Sequence, residues 1–451
     1  PIKSSAASDV YKRQISLLAI AAISPSFAAS FDESFADSTL RIDYIFGGGP
    51  CGKVVLLDSQ TKTPGWFGKR HRLSELPLEG NGSITVRDVA TGDTIYRQSF
   101  SSLFQEWIYT EEADSLNRSF ENSFLVPLPR READVILTLL DNRHLPMASS
   151  TWRYTPSDEL VRVPRRVSPC HAEYVHRGGD PKDVIDVAIV AEGYTPEQQS
   201  VFLEDAARMT AEILRYEPFN SRRDRFNFIA VMTPSADSAV AVPLEGKWPD
   251  TAFGSHYSTF RSPRYLTAPR VKAIHESLSG LPYEHIVILA NTDTYGGGGI
   301  YNSYLLSAAH NSEALPVTVH EFGHSFGGLA DEYFYTEEES DTYPLDIEPW
   351  EPNITTLKDF GSKWEAMVKP STPVPTPWKE QQGGSRAEKK KRMAERKDYD
   401  FTVGAYEGGG YRSKGIYRPV ETCRMRDNYV PVFCPVCEAA LTRLIDFYTL
   451  P

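Results

Sequence analysis

Up to about residue 165 the apolar and polar positions alternate in short runs. Ile84-Thr-Val-Arg alternates strictly, Thr91-Gly-Asp93 marks a tight turn, and Val135 to Leu140 is a compact apolar run. Successive side chains of a strand point to opposite faces, so short period-two runs punctuated by turns predict paired strands. An all-β sandwich over 31–165 accounts for them. Pro156 to Pro169, with several prolines and arginines, reads as a linker. The pattern then changes. Val184 to Ala191, Phe226 to Met232 and His285 to Ala290 are unbroken apolar runs suited to strands buried on both faces. Between them the spacing becomes helical: Phe202, Ala206, Met209 and Ile213 share one face, as do Val271, Ile274 and Leu278. Thr195-Pro196-Glu197-Gln198 supplies a cap with proline in the first turn, and a second helix is expected to start near Thr267. Alternating strands and helices predict an α/β domain over 180–451, giving a multidomain chain with its β-sandwich first.

The densest chemistry lies in that second region, at His320-Glu-Phe-Gly-His324. Residues four apart share a helix face, so both imidazoles can reach one metal ion, and Glu321 beside them can take a proton from water. Ser312 is a candidate cap for this helix, with Leu315, Val317 and Val319 burying it, and Gly327-Gly328 ends it. The chain then returns across the helix end, where Asp331 or its neighbour Glu332 can complete a zinc site. Upstream, the glycine run from Gly296 to Gly299 reads as a flexible cleft rim, followed by an edge strand over Ile300 to Leu306 to which an extended substrate could add. A phosphate-cradling loop would need a following helix with Lys-Ser or Lys-Thr, which is absent. Downstream, Glu421-Thr-Cys-Arg-Met425-Arg looks like the methionine turn that floors the metal in metzincins.

Several further segments carry a resemblance. They are Asp186 to Tyr194 (DVAIVAEGY), Glu217-Pro-Phe with Arg225-Phe-Asn, Asn291 to Ile300 (NTDTYGGGGI), and Gly404 to Pro419 (GAYEGGGYRSKGIYRP). With HEFGHSFGGLADEY and the methionine turn, they make the chain resemble the IgA-peptidase family of bacterial secreted zinc metallopeptidases, which is metzincin-like. Thr39 to Phe46 (TLRIDYIF) resembles that family's amino-terminal domain. The resemblance implies a zinc-dependent endopeptidase with Zn2+ on His320, His324 and Asp331 and with Glu321 as general base. In one respect the chain departs from the metzincin pattern: position 330, where the third ligand is expected, is alanine, and Asp331 stands one place later. The doubled glycine can absorb that extra residue. Tyr429 is a candidate oxyanion donor, although its spacing is not the usual one.

The start of the chain adds an expectation about location. Residues 1–14 lack an initiating methionine and an apolar pattern, and read as an artefact. Ile15 to Ile23 followed by Ser26-Phe-Ala28 reads as part of a secretory signal peptide over 15–29, too short to span a bilayer. Export to the medium, periplasm or cell surface is expected, with no transmembrane segment. Five cysteines (Cys51, Cys170, Cys423, Cys434, Cys437) suit export but cannot all pair. A bridge from Cys423 to Cys434 or Cys437 would pin the methionine turn, whereas zinc on the Cys434-Pro-Val-Cys437 pair would need two further ligands that spacing does not indicate. A net charge of −12 excludes a general nucleic-acid binder, although Lys389-Lys-Lys-Arg392 forms a local basic insertion. The expected partner is a protein or peptide substrate, a host or surface glycoprotein among the candidates. The competing class is a catalytically silent, metal-braced surface-binding protein, against which an intact Glu321 argues.

Overall fold

The computed structural model describes residues 30–164, 170–334, 342–378, 391 and 401–450. The signal-peptide stretch, residues 1–14, the end of the linker and, Lys391 apart, the basic run lie outside the described residues.

A short helix α1 (Phe31–Ser34) leads into two antiparallel sheets. The first, in order β2-β1-β5, is built from β1 (Phe35–Gly49), β2 (Gly52–Pro64) and β5 (Arg118–Pro129). The second, in order β4-β3-β6-β7, is built from β3 (Gly82–Asp88), β4 (Thr94–Phe100), β6 (Ala133–Leu140) and β7 (Pro146–Tyr154). Alternation works as the pattern requires: Ala133, Val135, Leu137 and Leu139 all point inward. The two sheets share one core, in which the Phe100 and Phe124 ring centroids lie 4.4 Å apart. The β3–β4 turn closes through Gly92 at φ +78°, whose N–H donates to Asp88 O. Helix α2 (Leu103–Trp107) follows β4.

A six-stranded sheet in order β12-β13-β11-β9-β10-β8 forms the second part. Its parallel centre comprises β9 (Ile185–Glu192), β10 (Phe226–Val231), β11 (His285–Ala290) and β13 (Tyr304–Ala308). β9, β10 and β11 are buried throughout, because helices cover one face and a helix with long loops the other. Helix α3 (Gln199–Ile213) packs Phe202, Ala206, Met209 and Ile213 onto one face, behind the expected Thr195–Gln198 capping box. Helix α4 (Val271–Ser277) packs Val271, Ile274 and Leu278 onto the other. It begins beyond Thr267, because Thr267 bridges His256 and Pro269 disfavours the helical conformation at Ala268.

Both antiparallel edges differ from expectation. β8 (Ala172–Arg177) is half exposed and largely polar, so no periodicity announced it. At the opposite edge the outer strand is the glycine run itself, β12 (Gly297–Ile300), hairpinned to β13. The rim expected to be loop is therefore strand, and the strand expected over Ile300 to Leu306 is split by the hairpin turn. Among the described residues no helix is long and apolar enough to cross a membrane.

Candidate active site

Helix α5 (Ala314–Ser325) carries the two histidines beside this glycine edge. Its cap is Glu313 rather than Ser312. Starting from Ser312 would place Pro316 at the fourth helical position, where its missing N–H forfeits the first helical hydrogen bond; starting from Glu313 keeps it in the first turn. Asn311 Oδ1 instead accepts the Glu313 N–H at 2.9 Å. Glycine is needed next to this helix for contact: a Cβ at Gly299 would sit 2.5 Å from Glu321 O and 3.0 Å from His324 Cβ.

The helix ends as its glycines suggest. Gly328 is left-handed at φ +58°, and its N–H donates to His324 O while Leu329 N–H reaches Gly323 O. The chain then folds back so that Asp331 Oδ1 lies 2.9 Å from His320 Nε2 and 3.3 Å from His324 Nε2. The two Nε2 atoms are 3.0 Å apart. Those separations are close to the edge of about 3.3 Å of a tetrahedral zinc site with nitrogen and oxygen donors. The two Nδ1 atoms face backbone carbonyls, His320 to Arg424 O at 3.1 Å and His324 to Leu329 O at 2.5 Å. An Nδ1–H held by a carbonyl leaves Nε2 with its lone pair toward the shared point, the arrangement of a metal-ligating histidine.

Glu332 points elsewhere. Its N–H donates to Met425 O at 2.9 Å, and its buried carboxylate accepts from Asn353 Nδ2 at 3.0 Å. Met425 is fully buried against α5, so that a Cβ at Gly323 would come within 2.7 Å of its Sδ. The methionine turn therefore floors the helix between the two histidines. The bridge expected beside it is not formed: the cysteines are free, with Cys423 and Cys437 Sγ 3.9 Å apart.

The site's charges are tightly interlocked. Burial alone would push His324 down, but the Asp331 carboxylate overrides it and raises the imidazole to about 9. Burial would likewise raise Asp331; the facing histidines hold it well below the usual carboxylate range. Glu321 is raised by burial, an effect the two histidines partly offset. Two contributors were not read from the sequence. Tyr411, delivered by the hairpin of β14 (Tyr406–Gly409) and β15 (Arg412–Arg418), donates its hydroxyl to Asp331 Oδ2. Glu106, from α2 of the amino-terminal region, accepts the Tyr265 hydroxyl at the cleft wall. Enclosure in the cleft raises its carboxyl to about 7 against that bond, although its side chain keeps contact with solvent. The signal for Tyr411 lay in the glycine-rich segment already noted; for Glu106, in a region with no catalytic pattern, there was none. Tyr429 also lines this cleft, with Gly297–Gly299, Val317 and Arg426.

Paired imidazoles, a converging carboxylate and an adjacent glutamate in an open cleft define a hydrolase-like centre with a donor set suited to a divalent metal. The model for IgA Peptidase M64 matches residues 174–400 and 385–445, and that for the Peptidase M64 N-terminus matches 30–149. The chain belongs to the IgA peptidase M64 family and is a peptidase with an amino-terminal β domain. No protein of curated function matches it.

Proposed function

We propose that this protein is an exported, zinc-dependent endopeptidase of metzincin-like α/β architecture, with the ion on His320, His324 and Asp331 and with Glu321 as general base. The observation that carries the reading is the convergence of both Nε2 atoms on Asp331 Oδ1, with each Nδ1 turned to a carbonyl. When bound, zinc supplies Lewis acidity and brings the ionisation of a water molecule near neutrality. Glu321 accepts the water's proton at its carboxylate and later delivers it to the leaving amine, a role favoured by its raised affinity for protons. Tyr411 orients Asp331 by its hydrogen bond. A protein substrate, such as a host or surface glycoprotein, lies extended along the outer edge of β12, forming backbone bonds beyond the single bridge that Tyr265 makes to Gly297. In the domain reading, 15–29 is the signal peptide, 31–165 the β-sandwich and 180–451 the catalytic domain. The silent-binder alternative gives no reason for a glutamate to line the cleft beside the two histidines.

Glu321→Gln should retain metal while cleavage of a denatured-protein mixture falls about 10²- to 10⁴-fold. Asp331→Ala should lose the histidine-site metal and activity together. Full cleavage by Glu321→Gln would remove its assigned role, and undiminished metal in Asp331→Ala would remove that of the carboxylate.

A further inference from the structure

Directly behind the methionine turn lies a second cluster: Cys423, Cys434, Cys437 and Glu332, all buried. Their donor atoms lie within 4.8 Å of one another. Cys423 and Cys437 Sγ are 3.9 Å apart, and Cys437 Sγ lies 3.2 Å from Glu332 Oε1. A tetrahedral zinc with thiolate and carboxylate donors has sulfur–sulfur edges of about 3.8 Å and sulfur–oxygen edges of about 3.5 Å. Glu332 Oε2 is buried without a hydrogen-bond partner, a costly state for a carboxylate oxygen unless a cation is its neighbour.

We propose that Cys423, Cys434, Cys437 and Glu332 form a closed structural site for a thiophilic divalent ion, zinc foremost, separate from the histidine site. Four protein donors leave no open position, which marks a structural rather than a catalytic centre. Three thiolates and a carboxylate around a divalent ion leave excess negative charge. The charges of two buried guanidiniums, Arg418 acting on Glu332 and Arg424 on Cys423, offset part of it. A disulfide is the competing use of these cysteines. It would join two of the sulfurs and still leave Glu332 Oε2 buried without a partner. The metal employs all four groups.

The site's position gives it a task. Cys434 caps helix α6 (Pro435–Thr449) and Cys437 lies in its first turn; Cys423 precedes Met425 by two residues; Glu332 is the residue after Asp331. One ion would therefore tie the last helix, the methionine floor and the carboxylate of the histidine site to a single point. The two missing ligands of the Cys-Pro-Val-Cys pair were invisible to spacing because they come from turns 11 and 102 residues away from Cys434 in sequence.

The test compares the wild-type chain with Cys437→Ser, Glu332→Gln and His320→Ala, using metal analysis, cobalt exchange and thiol titration after denaturation in chelator. The wild type should hold a metal equivalent beyond that of the histidine site and show thiolate-to-cobalt charge-transfer absorption, and all 5 cysteines should titrate. His320→Ala should keep that absorption while losing the other equivalent, so failure here and failure of the peptidase reading are separable. Cys437→Ser should lose it. Should that variant not fold, Glu332→Gln, which preserves shape, should release its thiolate-bound metal to chelator at least about 10-fold faster. Absence of the charge-transfer band in the wild type overturns the proposal, and a thiol titre lower by two assigns the cysteines to a disulfide instead.

Discussion

Asp186 shows how a single buried side chain sets behaviour far from the cleft. It opens β9 with its Oδ1 accepting from Asn227 Nδ2 at 2.8 Å, while its Oδ2 is buried without a partner. Burial pushes its carboxyl from 3.8 up to about 7, against the Asn227 bond. Because the folded chain binds this proton more tightly than the unfolded chain, the associated stability is complete below pH 3.8 and is lost as pH rises toward 7. Asp186→Asn should therefore be more stable than the wild type above pH 7, by on the order of one to a few kcal/mol, and the advantage should vanish below pH 4. Thermal melts of both chains across that range check it; an advantage largest in acid would reverse the assignment. Residues of this sort were partly legible. The histidine pair, Glu321 and Met425 stand at spacings that chemistry dictates, whereas Tyr411, from a hairpin turn, and Glu106, from α2, reach the site from segments distant in sequence.

At the scale of elements, the legible parts were those whose environment imposes a period. Strands β9 to β11, buried on both faces, read as unbroken apolar runs, and α3 announced itself through one apolar face and a capping box. β8 and β12 were not legible, since a half-exposed edge and a run of glycines present no apolar period. In β12 the absent side chains are the structural requirement, because the strand lies against α5 at backbone distance. Gly299→Ala should accordingly force strand and helix apart, costing about 1–3 kcal/mol and lowering kcat/KM by displacing Glu321 and His324. A melt and a peptide-cleavage assay on the same preparation measure both; unchanged values would mean that the hairpin gives way without disturbing α5.

Taken whole, the amino-terminal β region contributes to the wall of the candidate cleft, through Glu106, as well as lying beside it. Ser101 N–H donates to Tyr301 O at 2.9 Å, Asn302 Nδ2 to Ser99 O at 2.9 Å, and Trp350 Nε1 to Asn81 Oδ1 at 2.8 Å, all beside the hairpin turn that sets β12. Leu103 and Leu125 add apolar contact to the core beneath β11 and β13. Coupling of this extent predicts one cooperative calorimetric transition for the full chain, with calorimetric and van't Hoff enthalpies in agreement. Two resolved transitions would show that the wall folds independently of what it encloses.

Asp331 and Glu332 are consecutive, yet one carboxylate faces the imidazoles and the other the thiols. The stretch from Gly327 to Glu332 thus works like an index with two pointers on one pivot. Deleting a single residue there, which an ordinary surface loop absorbs, would rotate both pointers together and misdirect each. The length of this turn therefore sets two sites at once, and a change in it is tolerated only where both carboxylates keep their aim.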